Sequence, residues 1–360
     1  MKKLFSTILL FLLTTIAVAQ SQYFEFNVTT PGTLKSLIDA RGEKYIFDMK
    51  VTGNIDARDI YSLRDNNPTL AFLDLSETTI NEYFAYKGTA NELFYAANEM
   101  PPNSFSNHQA LLGWSPLVKV ILPNTITVIN ESAFYSCTAL TEVIFPPSLT
   151  TIGNGVFSGC TAFKSINLPN TITTLGDAFS NCSGITSLII PNSVTYFGGF
   201  GGLSNLKDIT IGNAVSRMGV IKSCTKLETM TFLGVTPPEF ESNQFVYLSS
   251  LYAIYVPAAS VEAYRATKLA DLFYRQIQKT KIDITDITSV TGGVKVYASR
   301  SAILVEGTAP RETVTLYNIT GKQLKTVVST GEKLNIPVDK QGIYLVKIGG
   351  KTYKVAAPSP

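Results

Sequence analysis

SAFYSCTALTEVIFPPSLTTIGNGVFSGCTAFKSINLPNTIT, residues 132–173, states one phrase twice. Phe134, Cys137, Leu140 and Pro146 return as Phe157, Cys160, Phe163 and Pro169, each displaced by 23 residues. The phrase continues in both directions. Its cysteine-bearing segment reads WSPL from 114, CTAL from 137, CTAF from 160, CSGI from 182, LSNL from 203, CTKL from 224 and LSSL from 248. The period is therefore 21–24 residues, and self-similarity of that length marks a repeat architecture.

Each landmark is followed by an apolar triplet, from Leu117, Val120 and Leu122, through Phe163, Ile166 and Leu168, to Leu251, Ile254 and Val256. The last two members lie two apart, so on an extended chain they face one side. Pro123, Pro146, Pro169 and Pro191 end four of these strands, because proline has no N–H to give a ladder. Further apolar residues follow, among them Ile129, Ile152, Leu175 and Phe197, and then a large one: Phe134, Phe157, Phe179, Phe200, Ile221 and Phe245. A coil of this size cannot bury its apolar side chains alone. Stacking equivalent positions at strand spacing, about 4.8 Å, makes one continuous core.

The period, the strands and the phrase AF..C..L..V.[IL]P.[ST][IVL]..I resemble the BspA-like leucine-rich repeats of bacterial surface proteins. The resemblance covers residues 111–257 and thins at 198–221, where FGGFGGLSNL and MGVIKSC replace the AF..C phrase. The glycines at 198–202 read as a repeat turn. The fold class expected is a mostly β solenoid of leucine-rich repeats with capping segments, followed by a small all-β sandwich.

An open stack needs capped ends. Residues 20–110 read as an N-terminal cap and irregular first repeats. A mixed helix and strand stretch precedes one degenerate coil, Leu70, Leu73 and Leu75, and residues 81–110 form an irregular insertion. Residues 258–280 read as the closing cap. There Ser260 N-caps a helix with Val261, Tyr264 and Leu269 on its apolar side.

Residues 281–291 read as a linker. Residues 292–360 read as alternating strands with turns at Thr320-Gly321 and Gly349-Gly350, a β-sandwich. Within it LYNITGKQL and GIYLVKIGGKTYKV resemble the C-terminal sorting domain of type IX secretion cargo, which implies delivery outward by outer-membrane secretion machinery. The domain's usual Pro-Asn-Pro opening is missing, and AAPSP extends past the last strand.

The N-terminus reads as an export signal over residues 1–19. Lys2 and Lys3 precede an apolar run from Leu4 to Ile16, and Ala17-Val18-Ala19 makes the cleavage site. The run is too short for a comfortable membrane span, so the expected location is secreted or at the cell surface. Charged residues are only 16% of the chain, so neutral Thr, Ser, Asn and Tyr must cover the surface. A net charge of +3 without a basic stripe sets nucleic-acid binding aside.

Cys137, Cys160, Cys182 and Cys224 invite a disulfide reading in an exported chain. Parallel side chains one coil apart keep their Cβ atoms about 5 Å apart, beyond the roughly 3.5–4.5 Å that a disulfide needs. Leu203 and Leu248 fill the same position, and free cysteine packs as a small hydrophobe. Packing is the preferred reading and a disulfide between adjacent pairs the alternative.

Catalysis finds too few partners. His108 is the one histidine, which leaves a His-assisted nucleophile or a zinc site incomplete. Asp56/Asp59 reads as a turn or cap, and Asp283/Asp286 as linker solvation, rather than acid–base pairs. GGFGG lacks the lysine of a phosphate loop. No enzymatic activity, cofactor or metal is expected.

What remains is a non-catalytic recognition or adhesion module that binds an extracellular protein or a glycan on its repeat sheet. Adhesion is what the resemblance implies, and a structural spacer without a ligand is the alternative. Residues alternating with the buried pair face outward: Lys119/Ile121, Glu142/Ile144, Ser165/Asn167, Ser187/Ile189, Asp208/Thr210, Thr229/Thr231 and Ala253/Tyr255. The expected ligand-binding set is Lys119, Ile121, Glu142, Ile144, Asn167, Ile189, Thr210, Thr231 and Tyr255. Its isoleucines either serve as anchors in a polar field or simply suit strands. A glycan would want more aromatics than Tyr255.

Overall fold

The computed structural model describes residues 23–85, 93–106, 116–240, 243–279, 295–299, 302–318, 322–338, 342–349 and 351–357. The export signal, His108, the Asp283/Asp286 pair, the Thr320-Gly321 turn and Gly350 lie outside them.

The chain opens with β1 (Tyr23–Val28), α1 (Leu34–Arg41), β2 (Asp48–Ile55), α2 (Ala57–Asn66) and β3 (Phe72–Ile80). In β1 every second residue is buried, so Phe24, Phe26 and Val28 point to the core. The three strands are parallel, and β3 pairs with Lys119–Ile121, which pairs with Glu142–Ile144. The mixed stretch of the cap is thus an extension of the repeat ladder itself. Asp56 caps α2: its carboxylate accepts from Arg58 N, while Asp59 accepts from Asp56 N. Asp59 also accepts from Gly32 N at 2.6 Å and Leu34 N at 2.9 Å, tying the start of α1 to α2. The aspartate pair is a structural cap.

Each later coil contributes to a second, seven-stranded parallel sheet. Its strands are Glu99–Met100, Val128–Ile129, Thr151–Ile152, Thr174–Leu175, Tyr196–Gly201, Arg217–Lys222 and Phe245–Val246. Strands of two residues show no alternation, which is why only their apolar members stand out in the sequence. Between the sheets runs a column of rings. Phe105, Phe134, Phe157 and Phe179 stack with centroids 5.3, 5.5 and 5.7 Å apart and near-parallel planes. Phe105 reveals a coil inside the segment read as an irregular insertion: its N–H donates to Ala133 O, and Glu99–Met100 pairs with Val128–Ile129.

The residue before the cysteine position is left-handed in six coils. Ser136, Gly159, Asn181, Gly202, Ser223 and Tyr247 have φ of 57°, 79°, 60°, 75°, 56° and 56°. This kink turns the chain from the phenylalanine position into the next strand.

Two features of the array differ from the sequence reading. Phe163, Ile166 and Leu168 are buried but lie outside any strand. The first ladder therefore stops at Glu142–Ile144 and resumes with Ser187–Ile190, Asp208–Ile211, Thr229–Phe232, Ala253–Val256 and Ile277–Lys279. Phe145 and Phe163 stand where most other coils carry smaller residues, and both rings pack edge-on against Phe157. The glycines at 198–202, read as a turn, lie largely in the extended strand Tyr196–Gly201, paired with Arg217–Lys222. The backbones there run so close that a Cβ on Gly219 would stand 2.0 Å from Gly198 O.

The closing cap buries Tyr264 and Leu269, with Val261 partly buried against the core. The Tyr264 hydroxyl donates to Gly234 O at 2.9 Å. The single helix read there is two short ones, α3 (Val261–Arg265) and α4 (Leu269–Phe273). Ser260 precedes α3, but its side chain makes no capping bond, because the chain enters from a 3-10 turn with Ser260 buried.

The C-terminal residues form two antiparallel sheets. One holds Lys295–Ser299, Ala302–Glu306 and Leu334–Pro337; the other holds Thr313–Asn318, Gln323–Val328, Gly342–Ile348 and Lys351–Ala357. Ile303, Val305 and Ile336 from the first share a core with Val314, Leu316 and Val346 from the second. Among the described residues no helix is long and apolar enough to cross a membrane.

Candidate interaction surface

Parallel in-register strands line up their outward residues in rows across the first sheet. One row runs Tyr23, Asp48, Phe72, Lys119, Glu142, and the next includes Lys50, Asp74, Ile121 and Ile144. The outward face read from the repeats alone begins at Lys119. In the structure it begins at Tyr23, because the cap strands join the same ladder.

This extension brings the aromatics. The Tyr23 and Phe72 rings stack with centroids 6.3 Å apart, and Tyr23 is 46% exposed. The Lys119 ammonium lies 6.0 Å from the Phe72 centroid and 2.9 Å from Glu142. Lys50 pairs with Glu77 at 2.5 Å, and that hydrogen bond raises the lysine pKa. Burial, reinforced by the Asp74 charge, raises the Tyr23 phenol. At the strand entrances Tyr45, Phe47 and Val118 are exposed, and Phe47 O accepts from both Ala71 N and Phe72 N. The result is a set of apolar and aromatic side chains interleaved with ion pairs. Ile144, 41% exposed, sits at its far edge.

The other half of the face differs. Ser187 and Asp208 are exposed, and Ile189 and Tyr255 are half-buried. Thr210, Thr229, Thr231 and Ala253 are buried, which corrects the reading of Thr210 and Thr231 as accessible. The row runs Ile189, Thr210, Thr231, Tyr255, so two small side chains lie between two large ones. Thr229 Oγ1 donates to Asp208 Oδ1 at 2.6 Å, which holds that hydroxyl down. Ser165 and Asn167 are exposed, but their coil is out of the ladder.

The four cysteines are buried free thiols. Among the described residues no cluster of three or more His, Cys, Asp or Glu could hold a metal.

Residues 107–228 match the family described as the BspA type leucine rich repeat region, in six copies. These residues are similar to BspA-type leucine-rich repeats. A leucine-rich repeat protein of T. pallidum is 23% identical over 46% of this chain and 75% of its own, with a TM-score of 0.36. The pneumococcal vaccine antigen PcpA is 15% identical over 61% of this chain and 56% of its own, with a TM-score of 0.39. A leucine-rich repeat protein from Bacteroides ovatus is 16% identical over 67% of this chain and 62% of its own, with a TM-score of 0.31. This chain thus spans under two thirds of the latter two. No curated protein matches it.

In these coils the repeated phrase divides by role. Its L..V.[IL] part supplies the first ladder, its I..I part the second, and AF..C the turn between them. The aromatics of the interaction face lie outside the phrase altogether. Their signal was the outward Tyr23 and Phe72 of two alternating strands.

Proposed function

We propose that the BspA-type array is a surface-displayed recognition module that docks a protein on the N-terminal half of its first sheet. One observation carries this: the stacked Tyr23 and Phe72 share one sheet face with Ile121 and Ile144, interleaved with the Lys50–Glu77 and Lys119–Glu142 pairs. A few apolar anchors in a polar field are how protein-recognition patches are built. The buried threonines leave the other half a weaker candidate. Outward delivery rests on the export signal and on the C-terminal sheets, which we read as a β-sandwich acting as a sorting domain.

The mature protein, screened against arrayed extracellular-matrix and bacterial surface proteins, should retain at least one partner. Tyr23→Asp with Ile144→Asp should weaken that partner by about 100-fold while melting as the wild type does, the scale of two lost anchors. A screen that retains none favours the spacer reading, and unchanged affinity in the double variant moves the site elsewhere. For delivery, removal of residues 285–360 should strand the array in the periplasm. A truncated chain that still reaches the surface makes the C-terminal sheets a structural module instead.

A further inference from the structure

The strand β1 is the free edge of the first sheet. All six of its residues, Tyr23–Val28, pair with β2 on one side. Backbone groups point alternately to either side of a strand, so every second residue of β1 turns its N–H and C=O away from β2. Among the described residues no backbone group pairs with them there. Such an edge is a template for another strand, and proteins usually blunt it with lysine, proline or a bulge. YFEFNV has none of the three. Its one charge is Glu25, exposed on the outward face with Tyr23 and Asn27.

A second feature says what fits this edge. The Arg41 guanidinium, in the last turn of α1, lies 5.0 Å from the Phe24 ring centroid and 5.7 Å from that of Phe26. Both rings are buried on the core side of β1. Arg41 itself is exposed, and among the described residues its guanidinium has no hydrogen bond or ion pair. A cation with unused donors thus rests on the rings of the edge strand. A strand added to β1 lies about 4.8 Å further out, which sets its core-side residues next to those rings and that guanidinium.

We propose that β1 accepts an extended peptide segment of a partner protein by strand addition, and that the segment carries an aspartate or glutamate on its core side to pair with Arg41. Backbone hydrogen bonds hold the segment, and its alternate side chains select it. Charge complementarity places the acid. Arginine forms paired, charge-assisted bonds with a carboxylate, whereas on the outward side Glu25 repels one. The edge borders the face proposed above for docking but uses neither Ile121 nor Ile144. A cation also suits the last turn of a helix, and that cause alone predicts no effect of Arg41 on peptide binding.

The test is a display library of random peptides, about twice the length of β1, panned on the full chain. Enriched peptides should share a proline-free stretch of alternating β-branched residues with one acidic residue. For a synthetic peptide of that kind, Arg41→Glu should weaken binding about tenfold or more, and lysine in place of the peptide's acid should restore it on that variant. Proline within the stretch should abolish binding to the wild type, since it removes an N–H from the added strand. If Arg41→Glu melts early, weakened binding of the lysine peptide to the wild type gives the same reading. Ile144→Asp should bind the peptide normally, so this proposal and the protein-docking reading fail separately. Enriched peptides without an acid, equal affinity for Arg41→Glu, or tolerance of proline overturns the proposal. No enrichment overturns it as well, and a chain that then sediments as a dimer gives the edge to a second copy.

Discussion

The Cys182 thiol donates a 2.9 Å hydrogen bond to the carbonyl oxygen of Phe157, one coil back. Cys160 does the same to Phe134 O at 3.1 Å and Cys137 to Phe105 O at 3.4 Å. The cysteines thus form a ladder of buried thiols, each turned to a backbone oxygen rather than to the next sulfur. Labelling after unfolding without reductant should find four reactive thiols. Finding two, with a Cys137–Cys160 peptide in the mass spectrum, would contradict the structure.

Burial also sets how these thiols titrate. It pushes Cys182 up to about 12 and Cys224 up to about 11, from an ordinary 9.0, and holds Cys160 well above that value. A raised folded pKa favours the folded state fully below about 9. That contribution is lost as the pH climbs toward 12, because at first only the unfolded chain releases its protons. At full slope each thiol accounts for about 1.4 kcal/mol per pH unit. The urea midpoint should fall between pH 9 and 11 more steeply in the wild type than in Cys160→Ala with Cys182→Ala. Equal slopes would remove the thiols as the cause.

Phe157 is fully buried between Phe134 and Phe179 and touched edge-on by Phe145 and Phe163. Phe157→Ala should cost about 3–5 kcal/mol, the range for an aromatic removed from a packed core. Denaturant unfolding showing under about 1 kcal/mol would mean that the column collapses to refill the gap.

Asp59 accepts backbone N–H bonds from Gly32, Leu34 and Asp56 while nearly inaccessible to water. Asp59→Ala leaves these donors without their acceptor and should cost about 3 kcal/mol or more, the scale for bonds to a buried charged group. Asp59→Asn, which keeps one acceptor oxygen, should fall between that and the wild type. A neutral alanine variant would refute the tie between the two helices.

Tyr247 holds a left-handed backbone, φ 56°, with its side chain 75% exposed. Gly159 and Gly202 hold the same place in other coils. Tyr247→Gly relieves a left-handed cost of about 1–2 kcal/mol against an entropic penalty of roughly 0.5–1 kcal/mol. A rise of about 0.5–1 kcal/mol in unfolding free energy is expected, and any loss would show that the tyrosine ring packs usefully.

Much of the coil was legible because its reasons are local. Phe134, Cys137, Leu140, Val143 and Ile152 each reach the core from a fixed offset within one period. The coil of Phe105 was legible too: Met100 precedes it by the same five residues that separate Ile129 from Phe134 and Ile152 from Phe157, but NEMPPNSF hides the match. The candidate site was legible only in part. Lys119, Ile121, Glu142 and Ile144 lie on the face where alternation puts them, whereas Thr210 and Thr231, in register with Ile189 and Tyr255 on other coils, are buried.

By itself the sequence determined the period, the strands that end at Pro123, Pro146 and Pro191, the phenylalanine column and the apolar setting of the cysteines, since each follows from spacing along one coil. Only the tertiary structure decided that the ladder breaks at Phe163, that the cap strands lend Tyr23 and Phe72 to the face, and which threonines see solvent. Those outcomes depend on how residues of separate coils pair and pack, and a repeat specifies the order of its neighbours without specifying how closely they approach.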